Sequence, residues 1–121
     1  MKRVVGVFVA AVLAAVVLVA GVLAPGGKAA STATTRVTVK ASEFKYVLSR
    51  KTAPKGTVIF TLVNKGKLPH DFKIAGKKTA VIKPGKSAIL RITVLKKSKL
   101  AYLCTVPGHA PAGMKGAFAA G

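Results

Sequence analysis

The sequence predicts an all-β domain, an antiparallel sandwich or barrel, preceded by one apolar helix at the N-terminus. Three observations carry this. From Arg36 onward, apolar and β-branched residues alternate with polar ones at a period of two. Turn-forming residues interrupt that alternation at short intervals, and no segment after residue 35 has a helical period. Ahead of it, Lys2 and Arg3 introduce an uncharged apolar run from Val4 to Ala24. The 121 residues therefore divide into 1–24, a signal peptide or membrane anchor; 25–35, a flexible linker; and 36–121, a single β domain.

As a helix the Val4–Ala24 run would be about 31 Å long, close to the ~30 Å hydrocarbon core of a bilayer. Basic residues in front of such a run hold the N-terminus on the cytoplasmic side and direct the downstream chain across the membrane, so the domain is expected to be exported and extracytoplasmic. Val22-Leu23-Ala24 and Ala29-Ala30-Ser31 are both candidate cleavage sites. A retained anchor fits the length equally well. No cysteine lies near this end, which excludes a lipoprotein anchor. Pro25 to Thr35 is small, polar and without periodicity. Fully extended, it could reach roughly 36–40 Å, enough to hold a domain clear of a membrane.

Within the domain, Val37, Val39 and Ala41 alternate with Arg36, Thr38 and Lys40, and Phe44 and Tyr46 continue an extended segment. Pro54-Lys55-Gly56 marks a turn, and Thr57 to Val63 places Val58, Phe60 and Leu62 on one face. His70, Phe72 and Ile74 share a face of the next strand. Thr79 to Lys83 runs into a Pro84-Gly85 turn. Ala88, Leu90, Ile92 and Val94 alternate most regularly, and Leu100–Cys104 and Lys115–Ala119 are the last two strands.

The 21 Lys and Arg against Glu43 and Asp71 give a formal charge of +19. Such basicity often marks nucleic-acid binding, but an exported protein does not meet DNA, so nucleic acid is not expected as a partner. Part of the charge coats the sandwich and guards its edge strands. The rest would suit an acidic protein or an anionic membrane or cell-wall surface. There is no Ser-His-Asp set, paired acids or phosphate loop, and an enzyme is not expected. A lone cysteine forms no intrachain disulfide.

The scarce residues fall into one pattern. Cys104 is the single cysteine, His70 and His109 are the two histidines, and Met114 is the one methionine besides Met1. Three of these lie on one loop, Cys-x4-His-x4-Met. Two imidazoles, a thiolate and a weak axial thioether form the donor set of a blue-copper electron-transfer site. Taken singly, each has a blander reading as a structural histidine, a small buried thiol or core filler.

Asn64-Lys-Gly-Lys-Leu-Pro-His70 and Tyr102 to Gly116 resemble the cupredoxins, the small blue copper proteins that include plastocyanin, azurin and rusticyanin. The resemblance spans roughly residues 36 to 121 and implies a Greek-key β-sandwich. It further implies one type 1 copper held by His70, Cys104, His109 and Met114, with Asn64 fixing the loops near His70. Backbone N–H groups would donate to the Cys104 sulfur. Asp71 departs from the pattern, where Asn often follows the first histidine. Its charge would lower the potential, or its carboxylate would brace the ligand loop.

The resemblance also implies a loop histidine in an apolar surface patch, and Pro107, Gly108, Ala110, Pro111, Ala112 and Gly113 surround His109. The expectation is a monomeric carrier of single electrons whose acidic redox partners dock near His109. The alternatives are a copper-holding or delivery module with the same ligands, and a basic sandwich that binds anionic surface polymers.

Overall fold

The computed structural model describes residues 33–121. The N-terminal apolar helix and most of the linker lie outside the described residues. Among the described residues nine strands form two sheets, which face each other across one core. The strands are β1 (Ala33–Ser42), β2 (Lys45–Leu48), β3 (Thr52–Ala53), β4 (Gly56–Asn64), β5 (Lys73–Ile74), β6 (Lys77–Lys78), β7 (Ser87–Val94), β8 (Ser98–Leu103) and β9 (Lys115–Ala120). One sheet has the order β2-β1-β4-β7 and the other β3-β9-β8-β5-β6.

The sheets are mixed, whereas the sequence pattern suggested antiparallel ones. β1 runs parallel to β4, and β3 parallel to β9. Alternation shows which side chains face inward but carries no information on strand direction. The cause is β2. It turns back on β1 and occupies that strand's outer edge, with Ser42 opposite Lys45. The chain then crosses to the other sheet through β3 and returns as β4 on the free side of β1, in the same direction as β1. Glu43 and Phe44 consequently sit in a tight turn and not in an extended segment. β1 begins at Ala33, ahead of Arg36 where the alternation becomes legible. The Thr79–Lys83 strand does not form. Lys77–Lys78 pairs with β5 in its place, and Ile82 retains a single bridge to His70.

The alternating residues become the core. Val37, Val39 and Ala41 of β1, Val58, Phe60 and Leu62 of β4, and Leu90, Ile92 and Val94 of β7 are all buried. Opposite them, Phe118, Tyr102, Phe72 and Ile74 project from the five-stranded sheet and its approach. Five rings interlock between the sheets. Phe60 lies 5.1 Å from Phe72 and 5.3 Å from Phe118, and Tyr46 meets Phe72 edge-on at 5.2 Å. Tyr102 completes the group against Phe72 and Tyr46. Offset and edge-on pairs of this kind add about 0.5–1.5 kcal/mol each beyond the area they bury. Gly116 makes room for one of them, since a Cβ there would stand 2.4 Å from the Tyr102 hydroxyl.

Tyr46 links this core to the loops above it, because its hydroxyl donates a hydrogen bond to the backbone carbonyl of Asp71. Burial, with the nearby Cys104 adding to it, raises the phenol far above its ordinary pKa of 10.0. The folded chain therefore keeps a proton that the unfolded chain releases near its unperturbed pKa. The stability due to Tyr46 is fully present below that pH and is lost as pH rises beyond it. Tyr46→Phe should cost about 1 kcal/mol at neutral pH, from the lost hydrogen bond. Denaturant titration of the metal-free chain from about pH 8 to about pH 11 should show that gap closing. A gap that stays constant would mean that Tyr46 ionises equally in both states.

Candidate metal centre

Three separate backbone constraints bring the donors to one end of the sandwich. His70 lies between β4 and β5, where its N–H donates to the Ile82 carbonyl at 3.1 Å and its carbonyl accepts from Ile82 N–H at 2.8 Å. Asn64, the last residue of β4, ties the intervening loop together. Its side-chain amide donates to the carbonyls of Leu68 (2.8 Å) and Ile82 (2.9 Å), and its side-chain oxygen accepts from Gly66 N–H at 2.8 Å. The loop from Cys104 to Met114 closes on itself. Cys104 N–H donates to the Met114 carbonyl and Met114 N–H to the His109 carbonyl, both at 3.1 Å. His109 N–H donates in turn to the Val106 carbonyl at 3.1 Å.

The result is convergence of residues far apart in sequence. The Nδ1 atoms of His70 and His109 are 3.2 Å apart, and the Cys104 sulfur is 3.6 Å from His109 Nδ1. One donor atom from each of the three residues falls within 4.8 Å of the others. Met114, the fourth residue singled out by the sequence pattern, is fully buried at the base of the same loop. Exposure is 0 % for His70, 1 % for Cys104 and 7 % for His109, so His109 is the most exposed of the three. Burial pushes the Cys104 thiol up, while backbone N–H groups of Asp71 and Val106 act on it in the opposite direction.

Asp71 braces the ligand loop. Its Oδ1 accepts the Thr105 N–H at 2.6 Å and its Oδ2 accepts the Thr105 hydroxyl. The carboxylate is completely buried, and it joins the residue after His70 to the residue after Cys104. Of the two roles left open for it, bracing is the one its contacts display, although its charge also adds to the upward push on the thiol.

The turn between β1 and β2 supplies contacts that the sequence pattern did not assign. Glu43 Oε2 lies 2.8 Å from His70 Nε2, and Glu43 Oε1 accepts the Lys67 N–H at 2.6 Å. The Lys67 N–H, and after it His70, hold the Glu43 carboxyl below its ordinary range. Phe44 packs edge-on against the His109 ring at a centroid distance of 5.0 Å. One signal for Glu43 was present in the sequence, since it is one of only two acids in a chain with 21 Lys and Arg.

The arrangement of the donors fits copper. A carboxylate accepts and does not donate, so Glu43 selects the His70 tautomer with hydrogen on Nε2 and a free lone pair on Nδ1. That lone pair faces His109 Nδ1 and the Cys104 sulfur in a buried space. Two imidazole nitrogens and a thiol that converge match three of the four donors of the type 1 copper set, one ion per chain.

The fold has many solved counterparts. An auracyanin from the photosynthetic bacterium Roseiflexus castenholzii superimposes with a TM-score of 0.58 at 18% identity, over 75% of this chain and 98% of that one. Auracyanin A of Chloroflexus aurantiacus, described as a "blue" copper protein, gives 0.61 at 14% identity, over 74% and 100%. Copper nitrite reductase from Nitrosomonas europaea gives 0.59 at 21% identity, and the match spans 73% of this chain and 41% of that enzyme. No curated protein matches the sequence. At these identities the superpositions speak for the fold. The sequence itself matches the Cupredoxin-like domain family over residues 10–115, and the chain belongs to that family.

Proposed function

We propose that this protein is an exported blue copper protein that carries single electrons between redox partners outside the cytoplasm. Its one copper would be held by His70, Cys104, His109 and Met114. The observation that carries this reading is the buried convergence of the two Nδ1 atoms and the thiol, with His109 the most exposed of the three residues. Such a site leaves little room for a substrate to enter but allows an electron to leave through one imidazole. Copper, when bound, supplies the one-electron exchange between its two oxidation states; the chain supplies everything else.

The residues divide that work. The His70–Ile82 bridge and the closed Cys104–Met114 loop fix the donors from two directions, so little movement is possible between states. Phe44 packs against the His109 ring from the turn between β1 and β2. Extracytoplasmic placement rests on the basic residues and apolar run at the N-terminus, and on the kind of fold. Partners would be acidic, because the chain is strongly basic while Pro107, Gly108, Pro111 and Ala112 offer an uncharged exposed surface beside His109. A neutral centre lets a partner approach closely, and the surrounding charge steers it. The same charge would favour an anionic membrane or wall surface. The protein would act as a monomer.

Two outcomes test this. The full chain loaded with Cu(II) should show an intense visible charge-transfer band that is absent in Cys104→Ser. Bound copper without that band would favour a copper-holding or delivery role. The rate of electron transfer with an acidic redox protein should fall steeply between low and physiological salt, as screening shortens the reach of the charges to ~8 Å. A rate insensitive to ionic strength would exclude electrostatic docking.

A further inference from the structure

We infer that Glu43, acting through His70, is the positioning residue that biases this centre toward the oxidised ion, and that Gly66 exists to let it reach the ring. The inference rests on the copper reading of the site. The carboxylate is held at both oxygens, by Lys67 N–H at 2.6 Å and His70 Nε2 at 2.8 Å. Its path crosses Gly66, where an added Cβ would stand 1.9 Å from Glu43 Oε2 and 3.0 Å from His70 Nε2. Any side chain at position 66 would have to displace the carboxylate from the imidazole. Gly66 is itself held by the Asn64 side chain, which accepts its N–H at 2.8 Å. Position 43, position 66 and the histidine therefore form one built contact, anchored on β1 and β4.

The chemistry comes from the charge. A full negative charge hydrogen-bonded to the far nitrogen of a ligand imidazole makes the near nitrogen a stronger donor. It also stabilises the more highly charged metal ion over the less charged one, and burial of the ring limits screening of that interaction. An amide at position 43 would keep a hydrogen-bond acceptor in place and remove the charge. Phe44, the next residue, touches His109, so the same turn bears on both imidazoles. The Phe44 contact is apolar, and the electronic effect belongs to Glu43.

The test uses the full chain, wild type against Glu43→Gln and Gly66→Ala. In copper-loaded protein, both variants should keep the charge-transfer band. Each should lower the ratio of Cu(II) to Cu(I) affinity about tenfold, which is a rise of about 59 mV in the one-electron potential. In metal-free protein, 15N NMR should show His70 protonated at Nε2 in the wild type, with that preference weakened in both variants. An unchanged potential in Glu43→Gln, with the band intact, would overturn the inference and leave Glu43 a structural brace. If the wild type shows no band, the copper reading fails on its own account. The NMR comparison then decides the rest: a changed His70 tautomer upholds Glu43's control of the ring, and an unchanged one overturns it. Should Gly66→Ala fail to fold, Glu43→Gln decides alone.

Discussion

A fully buried imidazole must have both of its nitrogens satisfied, and meeting that demand at His70 organises this end of the sandwich. The ring is removed from water, so neither nitrogen can rely on solvent. One nitrogen is met by a carboxylate from the first hairpin, and the other faces a second imidazole and a thiol from the last loop. Each partner comes from a different part of the chain. The requirement of a single side chain thereby ties β1, β4 and the β8–β9 loop together, and the sheets position the three so that they meet.

The acids show how tightly this is done. Glu43 bonds outward from His70 to the Lys67 backbone, and Asp71 bonds from the residue after His70 to Thr105, next to Cys104. The two carboxylates thus both engage the segment at His70. Each stitches it to a different loop. Below them, Tyr46 joins the Asp71 carbonyl to the aromatic core, so the ligand loops rest on packed rings. Rigidity at the site is in this sense a property of the core.

Much of this was legible in the sequence because the signals were local or rare. The alternation at 37/39/41, 58/60/62 and 90/92/94 marked inward faces, and those residues are buried. The two histidines and the cysteine stood out by scarcity, and three of the four singled-out donors are seen to converge. Strand direction was not legible, since a period of two is the same read either way, and the parallel β1–β4 and β3–β9 pairs arise from where β2 folds. Glu43 was legible as a rare acid but not as a partner of His70. That contact depends on a turn after Ser42 and on a missing side chain at position 66, and neither appears as a pattern. Asp71 allowed two roles until Thr105 was seen opposite it.

Both side-chain carboxylates of the chain are engaged at the candidate metal centre, Glu43 by His70 and the Lys67 backbone and Asp71 by Thr105, and neither forms an ion pair with a lysine among the described residues. The charge that faces outward from the described residues is then almost entirely of one sign. Like-charged copies of the domain repel one another, so a surface of this kind keeps the molecules apart in solution.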